Sequence, residues 1–204
     1  MQDEHRFIWD AMLEAIDVSL DGARILDAGC NQGGFLRLIA DRYDIARGYG
    51  FDPAAGAIDD ARRLAGNRPL EFAVGDTVPD GWRDFDVAFS HEVIYLLHDL
   101  ARHARAVHDA LRPGGVYFAV IGVHAGSPLM QEFHDESAAA LNLPALNDID
   151  DVVATFEAAG FNVALGRLPM RFVPARGHGH HEHRRMLEWL DYYYEHKLIL
   201  RLQR

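Results

Sequence analysis

The sequence predicts an α/β fold, a doubly wound and mostly parallel sheet with helices on both faces. Three observations predict it. Short apolar runs alternate with helix-like stretches, the pattern of strand–helix–strand crossovers. Several runs are apolar with little alternation, as strands covered on both faces read. Turn residues close the runs, so each strand hands over to a helix. The crossovers are expected to be right-handed, which puts helices on both faces.

The elements follow in order. An amphipathic helix is expected from about His5 to Leu20, with Ile8, Met12 and Ile16 inward, Phe7 at its edge and Trp9 either core or lid. RILDAG (24–29) is the first strand, and the helix from Gly33 to Arg42 carries Phe35, Leu36, Ile39 and Ala40 at helical spacing. GYGFDP (48–53) and the helix 54–65 come next, followed by the strands LEFAVGD (70–76) and FDVAFS (85–90). A helix over 99–111 is stopped by Pro113-Gly114-Gly115, and VYFAVIGV (116–123) forms the fifth strand. Residues 124–147 read as irregular with one short helix. A helix over 148–159 ends at Gly160, 162–174 is a long strand, and KLILRL (197–202) is the last. His178–Tyr194 begins as a loop and ends as an aromatic helix.

Composition limits the function. At roughly 150 residues per domain, the 204 residues make a single domain over 1–204. Twenty Lys plus Arg against 31 Asp plus Glu give a net charge of −11, which repels a phosphate backbone and argues against nucleic acid as the main partner. A single cysteine allows no internal disulfide. No apolar run reaches the ~20 residues of a membrane span, and Met1-Gln2-Asp3-Glu4 lacks a leader pattern. The expectation is a cytoplasmic protein with a small-molecule substrate and no membrane partner. A homodimer contact is one use for the aromatic helix.

The chemistry concentrates at strand ends. Asp27-Ala28-Gly29-Cys30-Asn31-Gln32-Gly33-Gly34 is a strand-to-helix turn whose glycines permit sharp bends and close ligand approach. A helix start there offers N–H groups to a ligand. The second strand ends in Asp52, where an acid accepts from ribose hydroxyls or caps the following helix. Dinucleotide enzymes share this pair of features. Their G-x-G-x-x-G is broken here, since Asn31 stands at the second glycine.

In this order, ILDAGCNQGG, GYGFD, VGD, FDVAFSHEVIYLLHD and LRPGGVYF resemble the successive motifs of the class I S-adenosylmethionine-dependent methyltransferases. The resemblance runs from about Ile25 to Phe118 and more loosely beyond. It implies a seven-stranded sheet of order 3-2-1-4-5-7-6 with the last strand antiparallel, and S-adenosyl-L-methionine as cofactor. It implies that Asp27 reaches toward the cofactor's amino group and that Gly29, Cys30 and Gly33 wall its methionine and ribose. Asn31 replaces the family's second glycine in that wall, and Asn tolerates left-handed backbone angles. Asp52 would hold the ribose hydroxyls, and Asp76 with Thr77 the adenine amino group. Pro53 and Val78 would touch the ring, while Ser90 and His91 would lie beside the sulfonium.

Methyl transfer asks the protein to place a nucleophile in line and, for a hydroxyl acceptor, to take its proton. His91 and His124, each after a strand at the same sheet edge, are the candidate bases because imidazole titrates near neutrality. Tyr95, His124 and Met130 are candidate acceptor contacts. The segments 124–147 and 176–195 are candidate substrate covers, with Leu129, Phe133 and Leu143 apolar enough for either a pocket or a satellite core. Glu92 reads as a loop or helix-start acid and Cys30 as a packing residue. No metal site is expected: His134-Asp135-Glu136 do not share a helix face, and the tract His178, His180, His181, His183 reads as a solvated loop. The alternatives are a cofactor-binding module without transfer activity and, less favoured, a NAD-dependent oxidoreductase.

Overall fold

The computed structural model describes residues 2–175 and 185–204, with side chains from His5 onward. The elements are α1 (Gln2–Ala15), β1 (Arg24–Ala28), α2 (Gly34–Arg42), β2 (Arg47–Asp52), α3 (Ala55–Ala65), β3 (Leu70–Val74), β4 (Phe85–His91), α4 (Leu100–Ala110), β5 (Leu111–Ile121), α5 (Pro128–Leu141), α6 (Ile149–Ala158), β6 (Asn162–Arg167), α7 (Met186–Asp191) and β7 (Leu198–Gln203). One sheet runs β3-β2-β1-β4-β5-β7-β6. β1 to β5 pair in parallel, and β7 is antiparallel to both neighbours. The predicted strand order holds in full. Among the described residues no helix is long and apolar enough to cross a membrane.

The strand pleat divides the core in two. Ile25, Val87, Phe89 and Phe118 face α1 and α2, while Leu26, Ala88, Tyr117 and Ala119 join the cluster with α4 and α6. This is the period-2 alternation of a strand, with both faces apolar because helices cover both. Phe89 is fully buried and stacks between Phe35 and Phe118, which contributes roughly 2–3 kcal/mol.

Several elements differ from the sequence expectation, each for a local reason. α1 stops at Ala15, five residues early. β6 stops at Arg167, because Pro169 cannot donate to a ladder; the chain leaves the sheet before Phe172, which stands 86% exposed. Residues 128–141 form one continuous 14-residue helix where an irregular segment with one short helix was expected. Pro128 sits in its first turn, where a missing N–H costs nothing, and Asn142 closes it in the left-handed region. α4 and α6 are capped by the side chains of Asp99 and Asp148. Tyr192–His196 makes a turn of π-helix closed by Lys197 N–H on the Tyr192 carbonyl.

Candidate functional site

The carboxyl ends of β1, β2 and β4 open into a cleft of about 660 Å³, within the range of small-molecule and cofactor sites. The β1–α2 turn forms its floor. Gly29, Asn31 and Gly33 all lie in the left-handed region, with φ of 75°, 47° and 68°. A Cβ on Gly29 would strike Val93 at 2.4 Å, so this glycine is required for space as well as for angle. The turn satisfies most of its own amides. Gly29 and Cys30 N–H both donate to the Phe51 carbonyl, Asn31 N–H to Asp52, and Gln32 N–H to the Asn31 side chain. The amides of the turn itself are therefore already spent, and the cleft presents carboxylates beside it.

Those carboxylates differ in state. Asp27 is buried and lines the cleft, and its Oδ2 is buried with no hydrogen-bond partner. Burial, with Asp52 close by, raises its pKa to about 8. Asp52 is fixed by the amides of Asn31 and Ala54, both at 2.9 Å. It braces the turn before the next helix, whose N-cap position is Ala54 with no side-chain cap, and it lines the cleft. Asp76 is exposed and already forked by Arg102 at 3.0 and 3.4 Å.

Asp27, Gly29, Cys30, Asn31, Asp52, Pro53, Asp76, Thr77, His91 and Tyr95 all line the cleft. Five other expected residues do not. Ser90 follows the pleat to the opposite face, where its hydroxyl lies 2.6 Å from the Tyr117 hydroxyl. Gly33 lies behind the turn, and a Cβ there would strike the Phe72 ring at 2.6 Å. Met130 is buried in the core. His124 is also buried, and both its ring nitrogens are engaged, Nε2 with the His196 carbonyl and Nδ1 with Gly126 N–H. Neither nitrogen is open to an acceptor. Val78 joins the core beside Trp82. His178, His180, His181 and His183 lie outside the described residues, and among the described ones no cluster fit for a metal is present.

The acceptor side holds residues that sequence reasoning missed. His5 lines the cleft with its ring 5.4 Å from that of His91, edge to face. Trp9 does double duty, packing on Phe35 in the core while walling the cleft. The His91 imidazole is held neutral: burial, Lys197 and His5 all push its pKa well below the ordinary value. Its Nε2 is buried without a partner. Glu92 is no ordinary loop acid. It adopts φ 57°, lines the cleft and pairs with Lys197 at 2.5 Å. One signal in the sequence marks that partner: Lys197 is the only lysine in a chain rich in arginine.

A sequence model described as "Methyltransferase domain" matches residues 26–119. By this match and by its fold the chain resembles the class I S-adenosylmethionine-dependent methyltransferases. It is 29% identical over 158 residues to trans-aconitate 2-methyltransferase of Streptomyces coelicolor, covering 72% of this chain and 52% of that protein. It is 34% identical over 99 residues to ubiquinone biosynthesis O-methyltransferase of Ruegeria pomeroyi, covering 47% and 39%. The chain thus spans about half or less of these relatives' length. A solved S-adenosylmethionine-dependent methyltransferase from Mesorhizobium loti shares the fold, with TM-score 0.73, 19% identity, and coverage of 97% and 98%. The family's cofactor is S-adenosylmethionine. The donor set here fits it: an orphaned buried carboxylate oxygen suits an ammonium, and an anchored carboxylate at the end of β2 suits a ribose diol.

Proposed function

We propose that the protein transfers the methyl group of S-adenosylmethionine to a small-molecule acceptor, and that it works in the cytoplasm. The observation that carries the reading is the partnerless carboxylate oxygen of Asp27, a residue that lines the same cleft as Asp52 and Asp76. Asp27 would take the cofactor's amino group, Asp52 the ribose hydroxyls, and Asp76 with Thr77 the adenine edge. Gly29, Cys30, Asn31 and Pro53 would wall them in. When bound, the cofactor supplies an electrophilic methyl on a positively charged sulfur. The chain's own work is orientation and proton handling.

His91 would accept the proton of a hydroxyl acceptor through Nε2. A neutral imidazole can do this without first losing a proton of its own, so transfer should show no acid limb between pH 6.5 and 8. Tyr95 and Trp9 would flank the acceptor. The names of the curated relatives, a trans-aconitate and a ubiquinone-pathway methyltransferase, support a small-molecule acceptor over a macromolecular one. Titration calorimetry with S-adenosylhomocysteine and with NAD is the first test. Homocysteine-side binding with no NAD binding is expected, and tight binding of NAD alone would overturn the reading. Methyl transfer to a member of a panel of small hydroxyl, amine and carboxylate metabolites is then expected. Cofactor binding with no transfer to any of them would favour a regulatory module.

A further inference from the structure

We propose that Lys197 is a positioning residue of the acceptor site: its ammonium, clamped on Glu92, braces the end of β4 and the turn after it, where His91 and Tyr95 stand, and sets a fixed positive charge beside that turn. This deepens the reading of His91 as the residue that faces the acceptor, and rests on it.

The chain invests heavily at this point. Lys197 is 2% exposed, and burying an ammonium costs several kcal/mol unless it is paired. It is paired, at 2.5 Å to Glu92 Oε1, and it lies 5.2 and 5.6 Å from the ring centres of Tyr192 and Tyr193, where the ring faces attract a cation. Glu92 also accepts from Gly122 N–H at 3.2 Å, and the Tyr192 hydroxyl bonds to it. Gly122 can only be glycine, since a Cβ would meet the Tyr192 hydroxyl at 2.2 Å and Glu92 Oε1 at 2.9 Å. Glu92 itself sits at φ 57°, a conformation that persists in a non-glycine residue only when its surroundings hold it. The ends of β4, β5 and β7 are thereby tied at one knot, and Glu92 forms part of the cleft wall.

A leucine at 197 would cover the tyrosines at lower cost. The charge is what a leucine would lack. The His91 ring meets that of His5 from α1 and shares the cleft wall with Asp27 from β1 and with Glu92 and Tyr95 from the turn after β4, while Lys197, just before β7, acts on it through its charge. Lys197 is the one fixed cation of that set, and it disfavours a second positive charge on the ring.

The test is an NMR titration of the His91 ring, assigned through His91→Gln and recorded without any acceptor, so that its outcome does not depend on the transfer reaction. Lys197→Met should move the His91 midpoint up by at least about half a pH unit. Lys197→Arg should keep the wild-type midpoint, and Glu92→Gln should leave it unchanged or lower. Opposite signs for the Met and Gln variants are the signature of charge; a merely loosened loop would move both alike. Should Lys197→Met fail to fold, the double variant Lys197→Met, Glu92→Leu is compared with Glu92→Leu alone, and its midpoint should lie higher, since only the lysine charge differs between them. An unmoved midpoint in the Met variant, or in the double variant relative to Glu92→Leu, or the same shift in the Met, Arg and Gln variants, overturns the proposal. S-adenosylhomocysteine affinity of Lys197→Met should stay within about threefold of wild type. Failure of the wild type to bind that probe would instead sink the functional reading and leave the titration result standing.

Discussion

The two ends of the cleft are built by different means. The cofactor end is local: Asp27, Gly29 and Asn31 lie within five residues, and Asp52 reaches back to Asn31 through one hydrogen bond. The acceptor end is assembled from afar. His5, His91, Gly122 and Lys197 come from four separate elements, and Glu92 meets Lys197 across 105 positions of sequence. The cofactor end is also the wetter one, with Asp76 and Arg102 both exposed, whereas the acceptor end buries an imidazole, an ion pair and two tyrosines. The comparison teaches that the proposed cofactor end is written in short motifs, whereas the proposed acceptor end is assembled by packing.

That contrast can be broken in order of expected effect. His91→Gln should slow transfer to a hydroxyl acceptor by about 10²–10⁴-fold while S-adenosylhomocysteine binding stays near wild type; a normal rate would reduce His91 to a wall residue. Asp52→Ala should weaken S-adenosylhomocysteine binding by at least ~1.5 kcal/mol, because charge-assisted hydrogen bonds to a diol are lost. Unchanged calorimetric affinity would remove Asp52 from the site.

Asp27→Asn separates binding from stability. Its folded pKa, about 8, lies above the ordinary carboxyl value of 3.8. Between those two values the folded protein keeps a proton that the unfolded chain has released, so Asp27 erodes stability as pH rises. The variant escapes that loss. Urea unfolding at pH 5 and pH 8 should show its advantage over wild type growing by roughly 1–3 kcal/mol, alongside weaker S-adenosylhomocysteine binding. An advantage equal at both pH values would contradict the assigned state of Asp27. The smallest effect belongs to Arg102→Gln. The Asp76 pair is exposed, so Tm should move by less than about 2 °C. A tenfold loss of S-adenosylhomocysteine affinity in that variant would give Arg102 itself a part in holding the adenine.

Much of this was legible in the residues. The strand order follows from motifs in sequence, and the left-handed Asn31 from the tolerance of asparagine for that region. Ser90 was not legible as a residue of the opposite core until the pleat was fixed. Neighbours on a strand point to opposite faces, so a pair read together at 90–91 is split by the sheet. His124 looked like a second base because the path of the chain after β5 was unknown, and the π turn at 192–196 supplies the carbonyl that occupies it. Lys197 read as the first residue of an apolar strand because nothing local marks its partner.

The sequence by itself settled the α/β class, a mostly parallel sheet with helices on both faces, because alternation and turn residues act over a few positions, while the strand order and the three carboxylates at the sheet's rim followed from the resemblance of its motifs to a known family. Only the tertiary structure decided which of those acids stays protonated, which histidine keeps an open nitrogen, and where the single lysine is spent. Burial and long-range charge set those properties, and both depend on what the folded chain brings alongside.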